Sequence, residues 1–308
     1  MDRLSSALSG PAPDADACRL GFIGAGRLAA ALALALQRAG RPVGRVASRR
    51  HASAVAMARV LGPGCRAVDP QAVADDCDLV FITTPDAVIA EVAQGIAWRA
   101  GQWVVHCSGA TPVSVLQPAR QAGAAVGGFH PMQAFGADAR AAADSLSGCT
   151  VAIESADPAL QTVLWRLAAR LGCQGIDLPP DARVRYHASG GYASQHVHAL
   201  LADAVRLWQS WGATEQQAMD ALLPLLRGTV ASIAHSGVAA GMPGPVSRGD
   251  IGTVRQHRQA LMALDPAMAR LYDQLGARGV ALARQAGRLD DAQAQAMLRL
   301  LEPPPPSA

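Results

Sequence analysis

Over the first 178 positions, short apolar runs alternate with Ala-rich stretches of helical spacing. The runs are Arg19–Gly24, Val43–Ser48, Arg66–Val68, Asp78–Thr83, Trp103–His106, Ala125–Phe129, Cys149–Glu154 and Gln174–Leu178. They read as strands with helices between most of them, which predicts an α/β fold wound doubly around a mostly parallel sheet. Pro179-Pro180 interrupts this pattern, and no β-like run follows. Arg183 to Trp211 reads as one long helix stopped by Gly212. Thr214 with Gln217 has the spacing of a capping box, and Pro224 should bend the helix it opens. Residues 237–249 form a Gly/Pro-rich loop. Asp250, Asp265 (followed by Pro266) and Asp290 are placed to cap three further helices. The expected organisation is a tail (1–17), an α/β domain (18–178), an all-α domain (179–302) and a second tail (303–308).

Composition narrows the chemistry. Of 308 residues, half are hydrophobic and 17% are charged, which excludes a disordered chain. The net charge of +3 and the lack of a basic run argue against a nucleic-acid binder. There is no lysine and no asparagine, so Schiff-base and lysine acid/base chemistry are excluded within this chain. The six cysteines never fall in a Cys-x-x-Cys spacing, which points to reduced, buried thiols rather than a metal site. Met1 to Ala17 lacks an apolar signal core, and Leu28 to Leu36 is about half the length of a membrane span. The expectation is a cytoplasmic protein away from membranes.

The segment Leu20 to Ala29 reads strand, then Gly24-x-Gly26-x-x-Ala29, then helix. The first glycine permits a tight turn, the second lets backbone approach a pyrophosphate, and Ala29 keeps helix and strand close. This points to dinucleotide binding by Gly24, Ala25, Gly26, Arg27 and Leu28. The alternatives are a turn serving packing alone, or a related fold holding S-adenosylmethionine. No acidic residue occurs between Cys18 and Asp69, where an NAD site usually places one. The second strand ends instead in Ser48-Arg49-Arg50, a hydroxyl and two guanidinium groups suited to a 2′-phosphate, so NADP(H) is favoured over NAD(H). An exposed arginine pair at a helix start is the simpler alternative.

Ligands of such sheets lie beyond the carboxyl ends of the strands. Thr84 and Pro85 should border the cofactor there, with Asp86 capping the next helix. Ser108 and His130 end two neighbouring strands, where a hydroxyl and an imidazole could orient a substrate oxygen and move its proton. Alternatively, Ser108 caps a helix and His130 a turn before Pro131. Cys107 lacks a motif supporting a nucleophile. His187, Gly191 and Ser194 share a helix face, whereas His196 and His198 do not, which argues against a metal there. Arg248 could grip a substrate carboxylate or pair with Asp250 structurally. His257 reads as structural.

These motifs carry a resemblance. GFIGAGRLA (21–29), ASRR (47–50), PDAVI (85–89), HCSGA (106–110), GGFHPMQAFG (127–136), YHASGGYAS (186–194) and GPVSRGDIGTVRQH (244–257) resemble a bacterial family of Rossmann-like oxidoreductases with a C-terminal helical domain of unknown function. That family is similar to pyrroline-5-carboxylate reductase, 6-phosphogluconate dehydrogenase and deazaflavin-dependent NADP reductases. The resemblance implies a Rossmann sheet, NADP, and a homodimer formed through helical domains. The first half also looks like prephenate and arogenate dehydrogenases, whose serine and His-Pro-Met match Ser108 and His130-Pro131-Met132. In that family the histidine hydrogen-bonds the reacting hydroxyl. The lysine and asparagine of 3-hydroxyacid dehydrogenases are replaced here by Gly191 and Gln195, so their lysine chemistry does not carry over. The combined expectation is an NADP(H)-dependent oxidoreductase of a small anionic oxo, imino or hydroxy acid, with His130, Ser108 and Arg248 at the substrate. A prephenate- or arogenate-type dehydrogenase and a non-catalytic NADP-binding sensor are the alternatives.

Overall fold

A computed structural model describes residues 17–302, so the expected tails fall outside the described residues except for Ala17. All eight expected strands form: β1 Leu20–Ile23, β2 Val43–Ala47, β3 Arg66–Ala67, β4 Leu79–Ile82, β5 Trp103–His106, β6 Ala125–Pro131, β7 Thr150–Ser155 and β8 Gln174–Asp177. They make one sheet in the order β3-β2-β1-β4-β5-β6-β7-β8, parallel except at the β6–β7 junction. The order reverses between β1 and β4, which opens a crevice at their carboxyl ends.

Helices cover both faces: α1 Arg27–Arg38, α2 His51–Leu61, α3 Pro70–Asp76, α4 Ile89–Gln94, α5 Gln117–Gln121, α6 Ala139–Asp144 and α7 Pro158–Arg170. Side chains alternate between two cores because successive strand residues point to opposite faces. Leu20, Phe22, Phe81 and Val105 pack with Leu32, Leu36 and Leu164. Ile23, Val80, Ile82 and Val104 pack with Val73 and Ile89. This two-sided burial explains why the central strands read as continuous apolar runs. The Phe22 and Phe81 rings stack at 4.9 Å.

Three expectations are corrected. First, β6 does not stop at Phe129 but runs through His130 and Pro131, paired with Ala152 and Val151. Met132 donates to the Thr150 carbonyl, so the antiparallel alternation puts Pro131 at a position whose N–H is not needed. Second, Arg183–Trp211 is not one helix. It breaks at Ser194 (φ −127°, ψ −85°) into α8 Arg183–Ala193 and α9 Gln195–Gln209. Third, Asp86 does not cap a helix; it lies inside a short 3-10 turn (Asp86–Val88) and makes no capping bond.

The chain divides into two compact units at Ser194, sixteen residues past the boundary expected at 178. Helix α8 belongs with the sheet because Arg183 bonds Glu154 of β7 and the Ser108 carbonyl. The second unit contains α9, α10 Glu215–Ser236, α11 Ile251–Leu264, α12 Pro266–Gln285 and α13 Asp291–Leu301. Its expected caps form: Thr214 with Gln217, Asp250 to Thr253, Asp265 to Ala267 and Asp290 to Gln293. Helix α10 continues through Pro224. Val254, Val280, Ala283, Met297 and Leu301 build a core among α11, α12 and α13. By contrast, α9 buries no residue and α10 only Ala218.

Candidate active site

The glycine turn sits at the reversal of strand order. Gly24 has φ +119°, a left-handed conformation that favours glycine, and a Cβ there would lie 2.6 Å from the Thr83 backbone. Its N–H donates to the Ala47 carbonyl, and the Thr83 hydroxyl donates to the Gly24 carbonyl at 3.1 Å. Gly26 is the N-cap of α1 and makes no side-chain cap bond. A Cβ on Gly26 would meet nothing within 4 Å, so the turn is open on that side. Ala29 is fully buried, Ala25 and Leu28 pack against the sheet core, and Arg27 is exposed.

The surroundings fit a dinucleotide phosphate. Ser48 is half-buried just past β2, and Arg49 and Arg50 are exposed, with no ion pair among the described residues. Thr84 places a buried hydroxyl without a hydrogen-bond partner among the described residues, and Pro85 is exposed beside it. Among the described residues, an orphaned hydroxyl and two guanidinium groups without ion pairs stand beside the glycine turn, polar groups that could receive the phosphates of a dinucleotide.

A second cluster forms where β5 and β6 end. The Ser108 hydroxyl accepts from the N–H groups of Ala110 and Thr111 in the turn after β5, but it caps no helix: the 3-10 turn that follows (Val113–Leu116) has Pro112 at its N-cap and no side-chain cap bond. Its carbonyl accepts from Arg183 at 2.8 Å. His130 projects from β6 and its ring lies against Gly109: a Cβ on Gly109 would stand 2.8 Å from His130 Nε2 and 2.5 Å from His187 Cδ2. The His130 and His187 rings meet edge to face at 5.9 Å. On the far side of His130, Nδ1 lies 3.0 Å from the Tyr186 hydroxyl, which also donates to the His130 carbonyl at 3.3 Å. His130 thus stands against Gly109, the residue after Ser108, with Tyr186 and His187 added by α8.

Arg183 is the buried charge beneath this cluster. Its guanidinium grips Glu154 Oε2 through Nε at 2.9 Å and through a second nitrogen. Gly128 makes room for it, since a Cβ there would come 2.7 Å from Arg183. Burial, the His187 ring and the Arg183 charge push His130 down to about 4. Burial and Arg183 push His106 down to about 3; its Nδ1 accepts from the Ser108 N–H. Both imidazoles are neutral near pH 7. Gly190 brings α8 close to the end of β6, where its Cβ position is 2.9 Å from Met132 Sδ.

Sequence reasoning did not single out Glu154, Arg183, His106 or Gly128. A lone arginine and a glutamate 29 positions earlier carry no local signal. The only clue is that Arg183 follows the Pro179-Pro180 punctuation, which reads as a boundary.

Arg248 lies in the second unit, on the loop between α10 and α11, where it is exposed. It makes no ion pair among the described residues; Asp250 is engaged by Thr253 instead. The structural Arg248–Asp250 pair is therefore not formed. Arg288 clamps this loop by donating to the Met242 and Ala240 carbonyls and to the Ser247 hydroxyl. His257 Nδ1 lies 3.0 Å from the Tyr272 hydroxyl. Among the described residues no cluster of three or more His, Cys, Asp or Glu could hold a metal.

Residues 10–131 match the model of a Rossmann-like domain, and residues 149–278 match that of a domain of unknown function, DUF2520. The two matched stretches follow one another along the chain and leave only residues 132–148 between them. Ser108 and His130 lie in the first matched stretch, while Glu154, Arg183, Tyr186 and His187 lie in the second. A solved structure from Bacteroides fragilis, provisionally designated an NADP oxidoreductase, is 26% identical with a TM-score of 0.72, covering 86% of this chain and 99% of that one. Pyrroline-5-carboxylate reductase of Streptococcus pyogenes is 14% identical with a TM-score of 0.60, covering 89% and 100%. A reductive aminase of Aspergillus terreus in complex with NADPH is 16% identical with a TM-score of 0.54, covering 92% of each chain. The last two establish a shared fold. No curated protein sequence matches the chain. No helix among the described residues is long and apolar enough to cross a membrane.

Proposed function

We propose that the chain is an NADP(H)-dependent oxidoreductase that moves a hydride to or from a small oxo, imino or hydroxy acid, with His130 exchanging the proton. The observation that carries this reading is the convergence of His130 Nε2 and the His187 ring on Gly109, at the carboxyl ends of the strands, in the same compact unit as the glycine turn. NADP, when bound, supplies or accepts the hydride. Residues 24–28 receive the pyrophosphate, Ser48, Arg49 and Arg50 the 2′-phosphate, and Thr84 and Pro85 border the cofactor.

His130 does the proton work. The single hydrogen of the Tyr186 hydroxyl, given to the His130 carbonyl, leaves Nδ1 as donor to Tyr186 and Nε2 with its lone pair. A neutral imidazole with a bare Nε2 accepts a proton from a substrate hydroxyl. This supports writing the reaction as oxidation of a hydroxy acid, the direction of the prephenate- and arogenate-type alternative, with reduction as its reverse. Ser108 accepts two N–H bonds and retains a hydroxyl hydrogen for a substrate oxygen. Arg248 is the candidate for the substrate's acidic group, supported by its exposure and by the absence of an ion pair among the described residues.

A homodimer is part of the proposal. Leu200 on α9, Trp211 between the helices, and Leu225, Val230 and Ile233 on α10 are exposed at 41% or more, an apolar surface suited to a partner. The six cysteines, none of them in a disulfide, suit a cytoplasmic setting.

The test is a panel of oxo, imino and hydroxy acids, including prephenate and arogenate, followed by nicotinamide absorbance. His130→Ala is expected to lose turnover while NADPH affinity survives. Full retained activity refutes the role of His130. Tight NADPH binding with no turnover across the panel, together with a captured partner, would favour the sensor reading.

A further inference from the structure

Two cysteines that the proposed reaction does not use stand together at the outer edge of the sheet. Cys149 immediately precedes β7 and Cys173 immediately precedes β8, and these strands run parallel with Thr150 opposite Gln174. The two sulfurs are 3.7 Å apart. The Gln174 N–H donates to the Cys149 carbonyl at 2.9 Å, which fixes the two backbones side by side. Neighbouring strands lie about 4.8 Å apart, inside the Cα separation of ~4.4–6.8 Å that a disulfide spans. From this geometry we propose that Cys149 and Cys173 are a reversible modification site, a dithiol that a hydroperoxide oxidises to an intramolecular disulfide.

The chemistry divides between the two thiols. Cys149 is half-buried and Cys173 is buried, so Cys149 is the one an oxidant reaches. Hydrogen bonding from Cys173 holds the Cys149 thiol below its usual range, while the same contact and burial raise Cys173. The Cys149 thiolate attacks one peroxide oxygen. An S–O bond forms, the O–O bond breaks, and the departing hydroxide takes a proton to become water. Cys173 sulfur then attacks Cys149 sulfur. The S–S bond forms, the S–O bond breaks, and the leaving hydroxide takes the Cys173 proton as a second water. Two electrons pass from the thiols to the peroxide, and a thiol reductant reverses the change.

Three of the other four thiols make poor competitors. Burial pushes Cys65 up to about 11 and Cys77 up to about 12, and raises Cys107 as well. A reducing cytosol keeps the pair as thiols at rest, so the bridge belongs to oxidative conditions. Because β8 is the outermost strand, the bridge would staple it to β7.

The experiment uses the full-length reduced protein, a brief exposure to hydrogen peroxide, alkylation of remaining thiols after unfolding, and tryptic mapping. Cleavage after Arg140, Arg166, Arg170 and Arg183 puts Cys149 on fragment 141–166 and Cys173 on fragment 171–183. The expected result is a disulfide-linked pair of these two fragments, lost on reduction, forming ~tenfold faster than oxidation of Cys65, Cys77 or Cys107. Cys149→Ser should leave Cys173 reduced under the same exposure. Sulfinic or sulfonic acid on Cys149 with Cys173 still alkylated would overturn the proposal, as would cross-linking between chains. The readout needs neither NADP nor substrate, so its outcome is separate from that of the proposed activity.

Discussion

The Tyr186 hydroxyl lies 3.0 Å from Nδ1 of His130 and also reaches the His130 carbonyl, so one side chain of α8 fixes the imidazole of β6 from behind. Such a partner sets which nitrogen carries the proton, and so which nitrogen meets the substrate. Tyr186→Phe removes the hydroxyl while keeping the ring. The expected outcome is a kcat lowered about tenfold, equivalent to ~1.4 kcal/mol, with NADPH affinity unchanged. Steady-state kinetics beside a cofactor titration checks it, and an unaltered kcat would remove Tyr186 from the mechanism.

Gly109 is the floor on which two imidazoles rest. A methyl group there would press within 2.8 Å of His130 and 2.5 Å of His187. Gly109→Ala should therefore abolish turnover by displacing both rings, while the glycine turn at 24–26 still binds NADPH. Turnover close to that of the parent protein would show that the rings are not positioned by this contact.

The Arg183–Glu154 pair is a buried charge contact, with the arginine only 1% exposed. Replacing Arg183 by Met strands the carboxylate and frees the Ser108 carbonyl. Breaking a buried pair from one side costs about 3–5 kcal/mol. Urea denaturation should show a loss of that order, with Glu154→Gln/Arg183→Met recovering part of it.

Stability should also fall in acid for an identifiable reason. His130 and His106 are held below their usual value of 6.5, to about 4 and about 3, chiefly by burial. Between those values and 6.5 the unfolded chain binds more protons than the folded one, so stability drops as pH falls through that window. His130→Gln should flatten the slope of stability between pH 6.5 and about 4. An unchanged slope would mean that the His130 imidazole is already protonated in the folded chain.

Much of this fold was legible because its information is local. Leu20–Ile23, Leu79–Ile82 and Trp103–His106 are apolar on both sides, and Thr214, Asp250, Asp265 and Asp290 announce their helices through capping chemistry that acts within three residues. The glycine turn was readable for the same reason. What the sequence hid depends on distance or on a single backbone angle. Nothing in the helical spacing of residues 183–211 marks the break at Ser194, where only the backbone turns aside. Pro131 looked like a strand end, yet it continues β6 at a position that needs no N–H. At the site, Ser108 and His130 were readable as residues at strand ends. Arg183 and Glu154 were not, because their pairing joins an unmarked helix start to a strand 29 positions earlier.

The proposed preference for NADP(H) rests on Arg49 and Arg50, exposed beyond β2 where no acidic residue stands. Arg49→Ala should weaken NADPH binding at least about tenfold, as expected for hydrogen bonds to a charged group, and leave NADH binding nearly unchanged. Equal losses for the two cofactors would move the 2′-phosphate away from this turn.

The most direct test of the central claim is a paired equilibrium titration of the full-length protein with NADPH and NADH. The account predicts saturable NADPH binding at least about tenfold tighter than NADH, since each charged contact at the 2′-phosphate contributes ~1.5–3 kcal/mol. Preference for NADH, or binding of neither, would contradict it.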